Sequence, residues 1–284
     1  MRRFASGGTR WSTVPALGVI RTTGVDISVE HLPPGPDFAD VVERFWAAHW
    51  AVRPDHDGPG RVVSLPVPEP LVVLRGRRLI THGVLRTRRA LEVHGSGVLY
   101  GASFRPGVAA ALIGGSAAEH TDRVFALADT AWGLRAHRLS ADLQTAAPSG
   151  LRAVAATFEH HLRGAAPRPG DPDLVRVGEM VDAIRDGGLT RVAELTERFH
   201  LSARTIQRVF NRHLGVGPKW LLRHYRLHRA AYRLQYNPPE KWSELAVELG
   251  YFDDSHFARD FADTLGVTPA AFVQSAARRP DARR

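Results

Sequence analysis

Residues 201–234 read LSARTIQRVFNRHLGVGPKWLLRHYRLHRAAYRL, and this stretch decides how the C-terminal part of the chain folds. Ser202 is a good N-cap for a helix over Ala203–Leu214, and Gly215 supplies the backbone freedom that a helix C-cap needs. Pro218 opens the next helix at its first position, where a missing backbone N–H does no harm. The segment before the stretch, VAELTERFH, has the apolar spacing of another helix. The sequence therefore predicts a helix, a tight turn, a capped second helix and a longer third helix.

The same pattern returns at residues 245–272, which read LAVELGYFDDSHFARDFADTLGVTPAAF. Asp253 takes the N-cap position that Ser202 has in the first copy, and a second capped helix is predicted over Asp254–Leu265. The alignment of the two copies places one inserted residue in the second turn, near Gly250-Tyr251-Phe252. The chain is therefore predicted to contain two related helix-turn-helix units.

The helix that joins the two units is predicted to run from Pro218 to about Asn237. A helix of this length spans about 30 Å at 1.5 Å per residue. One turn of B-DNA is about 34 Å long, so the capped helices of the two units are spaced to enter two successive major grooves.

The charge of this region indicates a polyanionic partner. Between Arg198 and Pro239 the chain has nine basic residues and no Asp or Glu, within a formal net charge of +9 for all 284 residues. A surface built from such a stretch attracts nucleic acid. The basic residues are Arg198, Arg204, Arg208, Arg212, Lys219, Arg223, Arg226, Arg229 and Arg233.

From about residue 172 to residue 276 the chain resembles the AraC/XylS family of transcriptional regulators. The Gly250-Tyr251 pair, the Ser255-x-Phe257-x-Arg259-x-Phe261 spacing and the closing Gly-Val-Thr-Pro carry this resemblance. It implies an all-α DNA-binding domain of two helix-turn-helix units. Arginine can contact guanine with two hydrogen bonds, and glutamine can contact adenine in the same way. The side chains that the resemblance implies at base edges are Arg204, Gln207 and Arg208 in the first unit and Ser255, His256 and Arg259 in the second.

Contacts to the DNA backbone are expected from a separate set of side chains. Basic and hydroxyl groups that neutralise or bind phosphates supply affinity without sequence information, and they make binding sensitive to salt. The expected phosphate contacts are Ser202, Arg212, Lys219, Arg223 and Arg226.

The second unit departs from the family pattern in its charge. The segment from Glu240 to Asp263 has seven acidic residues and only two basic ones, Lys241 and Arg259. The family often has a basic residue after Phe261, where this chain has Ala262-Asp263. We therefore expect the second unit to bind phosphate poorly and the first unit to dominate affinity.

The N-terminal half is predicted to be an α+β domain, with a short-stranded sheet or small barrel and helices. Short apolar runs between residues 61 and 105 predict the strands, whereas Phe38–Trp50 has the spacing of an amphipathic helix. Periodic Ala/Leu segments between residues 134 and 164 predict helices that either cover the sheet or mediate pairing. The predicted organisation is an arm or early strand over 1–36, an α+β domain over 37–133, helices and a linker over 134–171 with a boundary near 168, a DNA-binding domain over 172–276 and a basic tail over 277–284.

Residues 37–133 resemble an uncharacterised sensor-like domain that is often joined to AraC-type DNA-binding domains. The Phe104-Arg105-Pro106-Gly107 turn and Thr121-Asp122-Arg123 carry this resemblance. An apolar cup in such a domain is suited to a small apolar or aromatic effector. The alternative is that the same aromatic residues form an ordinary core and that Arg105 forms a structural salt bridge. The candidate pocket residues are Trp46, Trp50, Tyr100, Phe104 and Arg105.

Other classes of function find little support in the sequence. The chain has no Cys, which excludes disulfides and thiolate chemistry, and it has no nucleophile elbow, P-loop or H-E-x-x-H motif. His224 and His228 are four residues apart, as in a zinc pair, but no third ligand accompanies them, so a solvated or phosphate-facing pair is expected. No apolar run is long enough for a membrane span. Enzymatic activity, a bound metal and a cofactor are therefore not expected.

We interpret the chain as a cytoplasmic, one-component transcriptional regulator that binds double-stranded DNA. The interpretation includes a small effector, contact with RNA polymerase and a homodimer paired through the Leu134–Leu162 helices. We expect it to act as an activator, although the sequence leaves activation and repression open. The alternative is an architectural DNA-binding protein that needs no effector.

Overall fold

The computed structural model describes residues 19–65, 67–164, 172–236 and 242–277. Strands occupy the N-terminal half of these ranges, and the C-terminal part is helical. The strands are β1 Val19–Thr23, β2 Val25–Leu32, β3 Val42–Val52, β4 Gly60–Ser64, β5 Leu71–Arg75, β6 Arg78–His82, β7 Arg89–Val93, β8 Ser96–Phe104 and β9 Val124–Ala126. The helices are α1 Val108–Ile113, α2 Ala117–His120, α3 Leu134–Ala146, α4 Leu151–Leu162, α5 Pro172–Arg185, α6 Val192–Phe199, α7 Ala203–Leu214, α8 Pro218–Tyr236, α9 Trp242–Glu248, α10 Asp254–Leu265 and α11 Pro269–Ala277.

Two antiparallel sheets form the N-terminal domain. The larger sheet has the strand order β2-β3-β8-β5-β6-β9, and the smaller one has the order β1-β4-β7. Strands β3 and β8 are central in the larger sheet, and their register places Phe45 beside Ala102 and Trp46 beside Gly101. Because successive side chains point to opposite faces of a strand, Phe45 and Trp46 lie on different faces of the sheet. The predicted α+β class is confirmed for this domain.

The helix predicted over Phe38–Trp50 is wrong, because most of this segment is strand β3. Phe45 and Trp46 are both buried although they are neighbours in sequence. A strand that is covered on both faces carries apolar residues at consecutive positions, and these residues also satisfy the i, i+3, i+4 spacing of a helix stripe. The β-branched and aromatic content of the segment was the signal for a strand.

Helices α3 and α4 cover one face of the larger sheet. Leu139 and Leu143 of α3 and Phe158 of α4 belong to the same buried cluster as Phe45, and the rings of Phe45 and Phe158 stack with centroids 5.7 Å apart. Of the two roles expected for this helical segment, the structure shows that of covering the sheet. Strands β1 and β2 fall within the proposed arm, whereas the boundary near 168 and nearly all of the basic tail lie outside the described residues.

The C-terminal domain has the two predicted helix-turn-helix units, with α6 and α7 in the first and α9 and α10 in the second. Each unit has its own apolar core, around Phe210 in the first and around Phe257 and Phe261 in the second. Helix α8 joins them and contributes Leu221 to the first core and Leu227 to the second. Within the described ranges, every helix is too short or too polar to span a bilayer.

The close contact between Trp46 and Gly101 gives a test of the sheet. A Cβ atom at position 101 would lie 2.7 Å from Cε2 of Trp46, whose side chain is buried and has no room to move. We expect Gly101→Ala to lower the free energy of unfolding by about 2 kcal/mol, as overpacking does in other cores. Urea unfolding followed by tryptophan fluorescence measures this change.

The matched control is Gly178→Ala in α5, where an added Cβ would meet nothing within 4 Å. Alanine favours a helix over glycine, so this variant should be at least as stable as the parent. An unchanged stability of the Gly101→Ala variant would contradict the packing described for the sheet.

Candidate nucleic-acid interface

The N-terminal ends of α7 and α10 are built alike, as the repeat predicts. The Ser202 hydroxyl accepts a hydrogen bond from the backbone N–H of Thr205 at 3.1 Å. The Asp253 carboxylate accepts one from the backbone N–H of His256 at 2.6 Å. Both side chains satisfy backbone donors that the first turn of a helix leaves free. We call α7 and α10 the reading helices.

The turns before the two reading helices differ by one residue, as predicted. The first turn begins at His200, with φ of 52°, and the second begins at Gly250, with φ of 74°. Both residues adopt the left-handed conformation that ends a helix, but one residue separates His200 from Ser202, whereas two residues separate Gly250 from Asp253. The inserted residue is in the turn, and Phe252 within it is 93% exposed.

The structure places all six predicted base-reading side chains on exposed positions. In α7, Arg204, Gln207 and Arg208 have the i, i+3, i+4 spacing that puts them on one side of the helix. The Gln207 amide donates a hydrogen bond to Oδ1 of Asn211 at 2.9 Å, and Arg208 Nη2 lies 4.0 Å from a carboxylate oxygen of Asp173. These contacts hold the side chains of Gln207 and Arg208 close to the surface of α7.

In α10, the exposed side chains are Ser255, His256 and Arg259. The Arg259 guanidinium points back along the helix, where its Nε donates to the carbonyl of Ser255 at 3.4 Å. The His256 ring contacts the edge of Tyr251, with centroids 5.2 Å apart. The opposite side of this helix is buried through Phe257 and Phe261.

Four of the five predicted phosphate contacts, Ser202, Arg212, Lys219 and Arg223, are on exposed positions, and Arg226 is half-buried. Arg212 and Lys219 have no acidic partner among the described residues, so their charges face solvent. Ser202 is exposed as well, although its hydroxyl already caps α7.

Arg223 and Arg226 make contacts within the protein. Arg223 donates from Nε to Asp260 at 2.6 Å and from Nη2 to the Thr264 hydroxyl at 3.0 Å, which links α8 to α10. Arg226 donates to the carbonyl of Thr190 at 2.8 Å, and its guanidinium lies 4.9 Å from the centre of the Tyr251 ring. Both guanidinium groups are thus engaged within the protein, and their role as phosphate contacts stays a prediction.

Asp260 therefore has a structural role in the second unit. In addition to the Arg223 contact, it accepts a hydrogen bond from the Tyr251 hydroxyl at 2.6 Å. Burial, together with the neighbouring carboxylate, raises the pKa of Tyr251. Three other acids of this unit, Asp253, Asp254 and Asp263, stay exposed around α10.

The five residues of the predicted effector cup do not meet in one pocket. Trp46 and Trp50 lie on the face of the sheet opposite to Tyr100, because they pair with Gly101 and Gly97 whereas Tyr100 pairs with Ala47. Tyr100 and Phe104 belong to the core under α3 and α4. The cavity beside Phe104 has a volume of about 10 Å³, enough for one water molecule.

Arg105 forms salt bridges, which was the alternative to an effector contact. Its guanidinium is 2.8 Å from Asp182 and 3.7 Å from Glu43. Glu43 also pairs with Arg185 at 3.0 Å. Glu43 and Arg105 belong to the N-terminal domain, whereas Asp182 and Arg185 belong to α5. Sequence reasoning missed Glu43, Asp182 and Arg185, because the partners are distant in the chain and no local spacing marks them.

Comparisons with known proteins found matches to two separate parts of the chain. Residues 195–275 match a family described as Helix-turn-helix domain, and residues 30–126 match a Domain of unknown function (DUF6597). The chain is 30% identical over 120 residues to the probable thc operon regulatory protein of Rhodococcus erythropolis. This match covers 41% of the chain but only 36% of that relative, so it spans about a third of the relative's length.

Two solved structures are similar to parts of the chain. The DNA-binding domain of the global transcriptional factor AdpA, in complex with a target DNA, is 27% identical, with 39% of this chain and 99% of that chain covered and a TM-score of 0.32. ToxT from Vibrio cholerae is 9% identical, with 89% of this chain and 99% of that chain covered and a TM-score of 0.40.

His224 and His228 are buried, which contradicts the expected solvated or phosphate-facing pair. Their rings lie 4.1 Å apart, and the His224 ring stacks on Trp220 with centroids 4.8 Å apart. Among the described residues, no three His, Asp or Glu side chains come together as a metal site requires. Both histidines follow Leu221 at positions i+3 and i+7, and this helical spacing was the available signal for their burial.

The burial of His224 predicts a loss of stability in acid. Burial lowers its pKa well below the usual 6.5, and the neighbouring His228 lowers it further. The unfolded chain therefore binds more protons below about pH 6.5, and the free energy of unfolding falls as the pH falls. We expect His224→Phe to lose less stability than the parent between about pH 7 and about pH 5 in urea titrations. The control, His137→Phe at an exposed position of α3, should follow the parent; equal slopes for both variants would contradict the prediction.

Proposed function

We propose that this chain, whose C-terminal domain is an AraC-type helix-turn-helix domain, is a transcriptional regulator that binds double-stranded DNA at specific sequences. The observation that carries the proposal is the repeated geometry of the reading helices. Each is capped at its N-terminal end, is buried on one side and presents three polar side chains on exposed positions. Helices of this kind enter the major groove with their N-terminal residues at the base edges.

The two reading helices contribute unequally to this binding. Around α7 the exposed charges are basic, with Arg204, Arg208 and Arg212 on the helix itself and Lys219 at the start of α8. Around α10 the exposed acids outnumber Arg259. Since phosphate neutralisation supplies much of the affinity for DNA, the first unit provides most of the binding energy. The second unit contributes selectivity through Ser255, His256 and Arg259.

Control by a small effector is a further part of the proposal. The ion pairs of Glu43 with Arg185 and of Arg105 with Asp182 connect the N-terminal domain to α5. Glu43 is in the central strand β3, so a ligand that displaces this strand would change the contact with the DNA-binding domain. Homodimerisation through the exposed side of α3 and α4 and contact with RNA polymerase belong to the same proposal.

The competing function is that of an architectural DNA-binding protein without an effector. Footprinting of the full chain, with and without a metabolite extract, separates the two functions. A defined protected site that changes with the extract supports regulation. Uniform protection of all DNA, unchanged by the extract, supports the architectural function.

The unequal charges of the units predict a ranking of two arginine variants. Arg208→Ala removes a base contact from the strongly basic unit, and Arg259→Ala removes one from the acidic unit. We expect the loss of affinity to be larger for Arg208→Ala, with a cost of about 1–3 kcal/mol for a base contact of this type. Anisotropy titrations with a selected operator measure both. The reverse ranking would show that the second unit dominates.

The different surroundings of Arg212 and Arg223 predict different effects on salt dependence. Arg212 is free to contact phosphate, so Arg212→Ala should reduce the slope of log K against log salt by about 0.9. Arg223 is already bound to Asp260 and Thr264, so Arg223→Ala should leave the slope unchanged and lower the melting temperature instead. Titrations at four salt concentrations and thermal melts distinguish the variants. A reduced slope for Arg223→Ala would mean that Arg223 leaves Asp260 to bind DNA.

A further inference from the structure

The N-terminal domain contacts both reading helices at the same place, their C-terminal glycines. Gly215 ends α7 and Gly266 ends α10, and the two glycines are equivalent positions of the repeat. At Gly215, the Thr121 hydroxyl donates to the carbonyl at 2.8 Å, and an added Cβ would lie 2.6 Å from the Ala117 carbonyl of α2. At Gly266, an added Cβ would overlap the guanidinium of Arg88. The domain thus lies against the ends of the reading helices that are remote from Ser202 and Asp253.

Two apolar side chains of the N-terminal domain complete the cores of the two units. Val84, which follows β6, is 3% exposed and belongs to the core of the first unit, together with Phe210 and Leu214 of α7. Leu65, which follows β4, is 4% exposed and belongs to the core of the second unit, together with Phe261 and Leu265 of α10. Each of these side chains is removed from water only if the N-terminal domain stays in contact with that unit.

Apart from these contacts, the links between the two units run mainly through α8 and its side chains. Their cores are separate clusters, and α8 is the element that contributes to both. Two arginines of α8 add polar links: Arg223 pairs with Asp260 of α10. Arg226 donates to the carbonyl of Thr190, just before α6, and lies over the Tyr251 ring of the second unit. A small rotation about α8 matters for DNA, because a shift of one base pair turns a binding site by roughly 34° about the duplex axis.

We propose that the N-terminal domain fixes the relative position of the two reading helices and thereby sets the spacing between the two DNA boxes that the protein accepts. Thr121 and Arg88 are positioning residues at the helix ends, and Val84 and Leu65 are positioning residues in the cores. The consequence for DNA rests on the proposed function, whereas the fixed position of the helices does not.

The spacing preference can be measured with the full chain. Duplexes carry the two selected boxes at the preferred separation or with one base pair added or removed. The Thr121→Ala/Arg88→Ala double variant loses the Thr121 hydrogen bond at Gly215 and the Arg88 side chain that lies against Gly266. Its matched control is Thr145→Ala/Arg78→Ala, which changes the same residue types at exposed positions of α3 and β6.

We expect the parent and the control to prefer one separation. In the double variant, the ratio of Kd between shifted and preferred duplexes should fall by roughly threefold or more, while Kd for a single first-unit box stays within about twofold of the parent. A ratio equal to that of the parent would overturn the proposal. Leu65→Ala, with Leu91→Ala at a half-exposed position as its control, tests the core contact in the same way.

A measurement without DNA separates this inference from the proposed function. Because the chain has no Cys, Arg204→Cys/Ser255→Cys places one spin label on each reading helix and no label elsewhere. We expect one narrow distance distribution in the labelled parent and in the control background, and a distribution about twice as wide in the Thr121→Ala/Arg88→Ala background. Equal widths in all backgrounds would overturn the fixed position, whereas failure of the unlabelled parent to bind selected DNA would overturn the proposed function alone. The Thr121→Ala/Arg88→Ala variant leaves the apolar cores unchanged, so it remains testable if Leu65→Ala does not fold.

Discussion

Burial of one side of α8 is the constraint on which the C-terminal domain depends. Leu221 and Leu222 fill the core of the first unit, and Leu227, Ala230 and Leu234 fill that of the second, all nearly or fully buried. Each fully buried leucine contributes about 1.5–3 kcal/mol, so neither unit keeps its core without this helix. His224 and His228 are buried because they lie on this same side of α8, three and seven residues after Leu221.

The basic residues of α8 therefore fall into two groups, those that face solvent and those that bind other parts of the protein, and the sequence alone does not separate the groups. Lys219, in the first turn, faces solvent, whereas Arg223 and Arg226 bind groups of neighbouring helices. The carboxylate of Asp260 is largely buried, and Arg223 of α8 neutralises its charge. In the second unit, part of the acidic excess is thus structural, and what remains exposed around α10 still opposes a phosphate backbone.

The sequence predicts those features of the structure that depend on neighbouring residues, and it does not predict those that depend on residues far apart in the chain. Caps are local, so Ser202, Asp253 and the two closing glycines predicted the bounds of both reading helices to the residue. The register of a sheet is not local, and Trp46 and Tyr100 were assigned to one cup although their strands point them to opposite faces. The same limit applies to Arg105, whose partners Glu43 and Asp182 are 62 and 77 residues away in the chain. The prediction of a helix over Phe38–Trp50 was wrong because a strand buried on both faces has apolar residues at the i, i+3 and i+4 positions, as an amphipathic helix does.

The position of the N-terminal domain restricts how it can control DNA binding. It contacts the reading helices at Gly215 and Gly266, whereas base-reading side chains begin two residues after Ser202 and Asp253, at the other ends of the same helices. A domain held at the far ends does not cover the groove-facing surface, so steric blocking of DNA is not the route that this arrangement favours. Control through the relative position of α7 and α10 needs only a small change at Thr121, Arg88 or the Glu43–Arg185 pair. Because a duplex tolerates little rotational error between adjacent grooves, such a change is large enough to alter which sites are bound.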